Sequence, residues 1–80
     1  MVATFRGIIP SFVELYAESL GARVRDGEIV GDGWMAEMKY RKVRVGSLEL
    51  TELEMRFDGD KRAISDFLNR FRAKVLRNAG

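Results

Sequence analysis

The sequence predicts an α+β domain in two layers: an antiparallel four-stranded sheet with two helices on one face, in the element order β-α-β-β-β-α. Three observations predict this class. Two segments carry apolar residues at helical spacing, the segments between them are rich in branched and aromatic residues, and glycine-containing pairs stand where the chain must reverse. A chain of 80 residues forms one small domain. We expect this domain to span residues 1–80, with residues 77–80 frayed.

The first strand and the first helix are predicted on either side of Pro10. The segment "VATFRGII" has the branched and aromatic content of a strand. Ser11 and Glu14 have the spacing of a capping box, in which each side chain accepts the backbone N–H of the other residue. The helix is predicted over 12–20, with Gly21 at the position where helices commonly end in a left-handed residue. The apolar residues at helical spacing are Phe12, Leu15, Tyr16 and Leu20.

The middle of the chain contains two turn signals. In "ARVRDGEIVGDGW", Asp26-Gly27 stands between two short β-prone pieces, a pattern typical of a hairpin. A second turn at Asp32-Gly33 leads into a strand that begins near Trp34.

A long hairpin is predicted in "KYRKVRVGSLELTELEM", residues 39–55, where Gly46-Ser47 suits a two-residue turn with glycine in its first position. A reversal there places Val45 opposite Leu48. One face of the hairpin then carries three opposite-charge pairs: Arg41–Glu52, Lys39–Glu54 and Glu37–Arg56. The other face carries three apolar pairs: Tyr40–Leu53, Met38–Met55 and Ala36–Phe57. The basic cluster at the start of this stretch is therefore predicted to be paired mostly inside the protein.

Close to the turn, the apolar residues change faces. Four aliphatic residues share the face of the charged pairs: Val43, Val45, Leu48 and Leu50. Two explanations remain open. Either a bulge around residues 40–42 rotates the end of the hairpin, or the hairpin extends past the helices and shows an apolar face on its back. The second case predicts an interaction surface.

The second helix is predicted in "DGDKRAISDFLNRFRAKVL", with Asp60 as its N-cap. Asp66 and Arg70 have the spacing of an ion pair across one turn. One apolar stripe runs along the helix: Ile64, Phe67, Leu68, Phe71 and Val75. We expect both helices to bury their apolar residues against the following sheet residues: Phe5, Met38, Tyr40, Leu53, Met55 and Phe57.

The composition argues against an enzyme and against a bound cofactor or metal. The chain has no cysteine and no histidine, so it lacks thiolates, the commonest zinc ligand and the commonest general base. Turn and cap roles account for Asp58 and Asp60, and no catalytic residues are predicted. No apolar stretch approaches the ~20 residues of a membrane span. With no signal segment either, we expect a cytoplasmic protein. The 32% charged residues and the absence of glutamine are typical of heat-adapted proteins.

Three functional hypotheses follow. The favoured one is self-association, as a homodimer, through Val43, Val45, Leu48 and Leu50. The alternative is nucleic-acid binding, because six basic and only two acidic residues follow residue 59. Its candidate contacts are Arg44 in the predicted hairpin and the following residues of the predicted second helix, whose basic residues do not form one stripe: Lys61, Arg62, Arg70, Lys74 and Arg77. The third is a small-ligand-binding regulatory module that uses the concave face of the sheet, for which no residue pattern names a ligand.

Overall fold

The computed structural model of the chain describes the backbone of residues 1–79 and the side chains of residues 1–77. Its elements, in chain order, are β1 (Val2–Arg6), α1 (Pro10–Ser19), β2 (Arg23–Arg25), β3 (Glu28–Gly31), β4 (Trp34–Val45), β5 (Leu48–Gly59) and α2 (Lys61–Ala79). The expected fraying of residues 77–80 falls mainly on residues outside the described ones: Gly80 and the side chains of Asn78 and Ala79.

The sheet has five strands, in the order β1-β5-β4-β3-β2, and every neighbouring pair is antiparallel. The α+β class and the antiparallel sheet are confirmed, but the predicted count of four strands is wrong. The difference lies at the Asp26-Gly27 turn, where Arg25 pairs with Glu28 and both short arms become strands of the sheet.

One face of the sheet is buried beneath the two helices. The sheet residues buried in the core are Ala3, Ile29, Trp34, Ala36, Met38, Leu53, Met55 and Phe57. In α2, the predicted stripe is correct: Ile64, Phe67, Leu68 and Phe71 are buried, and Val75 packs partly buried against them. The ring of Phe71 lies 5.3 Å from that of Phe5, and the ring of Phe67 lies 4.5 Å from that of Trp34, so aromatic contacts join α2 to the edge strand β1 and to β4.

Helix α1 differs from the prediction in its start and in its rotation. It begins at Pro10, whose fixed φ suits a first helical position, and Ile9 precedes it without a side-chain cap. Ser11 is therefore already inside the helix, and the predicted capping box with Glu14 is absent.

Small residues of α1 lie deepest in the core, and Tyr16 packs partly buried beside them, with its ring 6.4 Å from that of Phe71. Val13 and Ala17 are fully buried, whereas Phe12 and Leu15 are 45% and 59% exposed, so their predicted burial is wrong. One turn apart, Val13 and Ala17 are small enough to bring the helix backbone close to the sheet. With that side inward, Phe12 and Leu15 face outward.

The predicted caps at the end of α1 and at the start of α2 are both correct. The Gly21 N–H donates to the Glu18 carbonyl at 3.0 Å and the Ala22 N–H donates to the Ala17 carbonyl at 3.1 Å, which is the bonding pattern of a Schellman motif. At the start of α2, the Ala63 N–H donates to Oδ2 of Asp60 at 3.0 Å.

Tyr40 marks the limit of the core along β4. Its predicted burial is wrong, because it remains 39% exposed. Its hydroxyl donates a weak hydrogen bond to Sδ of Met38 at 3.8 Å. Partial burial, together with the nearby Glu14 carboxylate, raises the pKa of the Tyr40 hydroxyl. Beyond Tyr40 the β4–β5 hairpin continues without a covering helix, and the molecule is accordingly elongated, at 41 × 22 × 21 Å.

Candidate functional site

The β4–β5 hairpin has two parts, which we call the hairpin base (residues 34–41 and 52–59) and the hairpin tip (residues 42–51). In the base, one face packs on the helices and the other is open. β1 pairs with β5 only as far as Arg6, opposite Glu52, and β3 pairs with β4 only as far as Glu37. The tip is therefore a two-stranded ribbon that extends beyond the rest of the sheet.

The pairing of β4 with β5 is unbroken from Trp34 opposite Gly59 to Val45 opposite Leu48. The predicted reversal at Gly46-Ser47 is correct, and Gly46 has φ +63, the left-handed region that the first position of such a turn requires. Since the pairing contains no bulge, the first explanation for the change of face is excluded. The hairpin extends past the helices with its apolar residues on the open face.

Four aliphatic side chains therefore lie together on the open face of the tip, which we call the apolar tip face: Val43, Val45, Leu48 and Leu50. Val45 and Leu48 are 48% and 63% exposed, and Val43 and Leu50, which are opposite each other, are half-buried.

Next to the apolar tip face, a buried carboxylate joins three strands. Glu52 of β5 lies between Arg6 of β1 and Arg41 of β4, and it is only 4% exposed although the face is open. Arg6 Nε donates to its Oε2 at 2.8 Å, and Arg41 Nε and Nη2 both lie 2.7 Å from its Oε1. The hydrogen bond from Arg6, followed by the one from Arg41, lowers the pKa of Glu52, and these contacts outweigh the opposing effect of desolvation.

The three predicted charge pairs have different outcomes. Their register is correct in all three cases, and Arg41 forms the predicted ion pair with Glu52. Glu54 instead pairs along its own strand with Arg56, at 3.3 Å. Lys39 and Glu37 consequently have no ion pair among the residues that the structure describes.

The candidate nucleic-acid contacts lie in separate places. Arg44 is in the hairpin tip, whereas Lys61 and Arg62 begin α2, directly after the opposite end of the hairpin. Arg70 pairs with Asp66 at 3.4 Å, as predicted. Lys74 is half-buried and Arg77 is exposed near the end of α2. The structure does not bring Arg44 together with Lys61 and Arg62.

A cleft of about 260 Å³ lies between the end of α1, the first half of α2 and the β3–β4 turn. Its charged groups are Asp32, Asp66 and Arg70, and the last two already pair with each other. Across the described part of the chain, no group of three or more acidic residues is arranged to hold a metal ion. The cleft thus indicates no particular ligand.

The sequence did not predict two features of the structure. Arg6 was not expected beside Glu52, because its position depends on the pairing of β1 with β5, between segments far apart in the chain. The second is an exposed apolar side of α1 formed by Ile9, Phe12 and Leu15. Pro10, which moves the helix start, and the small pair Val13 and Ala17 are the only sequence signals for it.

These features define a small two-layer α+β domain with one open sheet face and a projecting hairpin. The chain matches the family described as "Archaeal MoaD-like protein" over residues 1–80, and it belongs to that family. A comparison with curated proteins gave no match. Within the described residues, no helix is both long enough and apolar enough to cross a membrane.

Proposed function

We propose that this protein is a non-enzymatic domain that self-associates as a homodimer through the apolar tip face. The observation that supports this most strongly is the unbroken register of β4 and β5, which places Val43, Val45, Leu48 and Leu50 together on the open face, with Val45 and Leu48 exposed. Contiguous exposed apolar surface of this kind usually marks an interaction site. A chain of 80 residues also gains stability from a second subunit.

The chemistry of the surface favours a second copy as the occupant. An isologous contact requires one patch to complement itself. A purely aliphatic patch does so, because no like charges face each other when two such patches meet. The strand edges beside the patch carry Lys42 and Arg44. Like charges on an edge oppose direct strand-to-strand pairing of two copies. These observations favour contact between the faces of two tips, which closes a dimer, over contact between their edges.

The non-enzymatic part of the proposal rests on the side chains that are present. With no histidine or cysteine, the four serines have no histidine base, and no thiol is available as a nucleophile. Among the described residues, Glu52 is the one strongly buried carboxylate, and it is held in two arginine contacts.

Sedimentation velocity at micromolar concentration tests the proposal. We expect a mass about twice the 9.1 kDa of one chain. Leu48→Asp and Val43→Asp should give monomers, because each would bury an unpaired carboxylate in the contact. Two variants are matched controls on other surfaces. Leu15→Asp changes an equally exposed leucine on α1, and Val2→Asp changes a valine that is 55% exposed on β1.

We expect both controls to remain dimeric. A wild-type monomer throughout the micromolar range would contradict the proposal. Dissociation by Leu15→Asp but not by Leu48→Asp would move the interface to the exposed side of α1.

A further inference from the structure

The outer edge of β4 is open over residues 39–45. β3 pairs with β4 only up to Glu37, and the last contact across this edge is the bond from the Met38 N–H to the Gly27 carbonyl, at 2.9 Å. From residue 39 onward, β5 is the only strand paired with β4 among the described residues. An open strand edge offers unpaired backbone groups to another chain.

The alternation of an antiparallel ladder identifies the groups that point outward. Val45 and Leu48 close the tight turn, so the odd-numbered residues of β4 bond to β5 and the even-numbered ones point to the other side. Met38, which bonds to Gly27, follows this rule. Tyr40, Lys42 and Arg44 therefore present their N–H and C=O groups on the open edge.

Basic side chains flank this edge on both faces of the sheet. Lys39 and Arg41 lie on the open face, and Lys42 and Arg44 lie on the side of the helices. Arg41 is held by Glu52, and Lys42 Nζ contacts the Thr51 hydroxyl oxygen at 3.3 Å. Lys39 and Arg44 have no ion pair within the described residues, so their charges are available to a partner.

We propose that the open edge of β4 binds an acidic, extended peptide segment, which joins the sheet as an added strand. The backbone of such a segment satisfies the free groups of Tyr40, Lys42 and Arg44, and its side chains alternate between the two faces, where carboxylates meet the cations. A shallow pocket lined by Lys39, Tyr40, Arg41 and Glu54 lies beside the edge and accommodates one side chain of the peptide. The edge is distinct from the apolar tip face, so this inference does not rest on self-association.

The free carbonyl groups favour a peptide over a nucleic acid. Phosphate oxygens accept hydrogen bonds from N–H groups and cations, but they leave carbonyl acceptors without a donor. The cations are also few and divided between two faces, whereas binding of a nucleic acid backbone needs a clustered basic footprint.

Fluorescence anisotropy at low salt tests the inference with a labelled seven-residue peptide, Glu-Glu-Val-Glu-Glu-Val-Glu, whose carboxylates occupy both faces of an extended strand. A second peptide has the same sequence with an N-methyl group on every backbone amide, which preserves its side-chain charge and removes all of its backbone N–H donors. The protein variants are Lys42→Glu with Arg44→Glu, and Lys61→Glu with Arg62→Glu. The second pair makes the same change of charge at the far end of the molecule.

We expect the wild-type protein to bind the unmodified peptide. Its affinity for the N-methylated peptide should be at least about tenfold lower. The Lys42 and Arg44 variant should lose about tenfold in affinity, and the Lys61 and Arg62 variant less than about twofold. Amide resonances of Tyr40, Lys42 and Arg44 should shift on binding to the wild-type protein.

Three results would overturn the inference. Equal binding of the two peptides would show attraction by charge alone, and this comparison uses the wild-type protein, so it does not depend on the folding of a variant. Equal losses in the two protein variants would show a response to net charge. Tighter binding of a single-stranded oligonucleotide, with displacement of the peptide, would assign the edge to nucleic acid.

Discussion

The hairpin base and the hairpin tip share one continuous register but place their apolar side chains on opposite faces. In the base, Met38, Leu53 and Met55 face the helices, and Arg41 and Glu52 lie on the open face. In the tip, the aliphatic residues lie on the open face and Lys42, Arg44 and Glu49 lie on the side of the helices. The turn, the Arg41–Glu52 pair and the burial of the base residues therefore fix the register more strongly than burial of the tip residues does. As a consequence of this register, the tip keeps aliphatic side chains on its open face.

The largest difference between the two regions should appear when one leucine of each is truncated. Leu53→Ala removes a fully buried side chain from β5 and should lower the free energy of unfolding by about 2–5 kcal/mol. Leu48→Ala makes the same change at an exposed position of the same strand, and its effect should stay within about 0.5 kcal/mol. Urea unfolding at a concentration that keeps the protein monomeric measures both. Similar losses would show that the tip is packed as tightly as the base.

A glycine in each region gives the next largest difference. Gly59, at φ +125, lies against Trp34, and an added Cβ would approach the Trp34 Cα to 2.7 Å and collide with the Gly33 carbonyl. Backbone strain and steric overlap together should make Gly59→Ala destabilising by about 2–4 kcal/mol.

Gly46 is the matched position in the tip, because an added Cβ there meets open space. Gly46→Ala should cost only the strain of its left-handed backbone, about 1–2 kcal/mol. The same unfolding experiment compares the two variants, and a larger loss for Gly46→Ala would contradict the view that the base is the constrained region.

The smallest expected difference concerns the dependence of stability on pH. Arg6 and Arg41 lower the folded-state pKa of Glu52, so the carboxylate contributes stability above its unfolded pKa of roughly 4.3. That contribution is lost as the pH falls through the lowered folded pKa. Glu52→Gln should therefore lose less stability than the wild-type protein between neutral and acidic pH.

Glu49→Gln is the control for this comparison, since Glu49 lies exposed in the tip and takes part in no ion pair among the described residues. Its loss of stability on acidification should match that of the wild-type protein. A Glu52→Gln profile parallel to the wild-type one would show that the two arginine contacts contribute nothing to folding.

Sequence reasoning predicted the features that local chemistry determines. The Gly46-Ser47 turn, the pairing of Arg41 with Glu52 and the Asp60 cap each depend on residues within one hairpin or one helical turn. The apolar tip face was one of two alternatives. The alternation of residues along the strands reveals that the apolar side chains change face, but not whether a bulge turns them back. The unbroken register decided between them.

Features that depend on distant contacts were not predicted. The partner of β1 is β5, which brings Arg6 to Glu52 across 46 residues of chain. The rotation of α1 depends on how closely Val13 and Ala17 approach the sheet, and apolar spacing within the helix gave more weight to the larger Phe12 and Leu15. Residue size at a contact between layers is a tertiary property that periodicity does not report.

The proposed contact between two tips is tested most directly by magnetisation transfer in a mixed sample, with isotope-labelled methyl groups in one copy and an unlabelled second copy. We expect intermolecular cross-peaks from the methyl groups of Val43, Val45, Leu48 and Leu50, and none from Leu15 on α1. A dimer whose cross-peaks come from other side chains, or a sample with no intermolecular cross-peaks at millimolar concentration, would contradict the assignment of the apolar tip face as the surface of self-association.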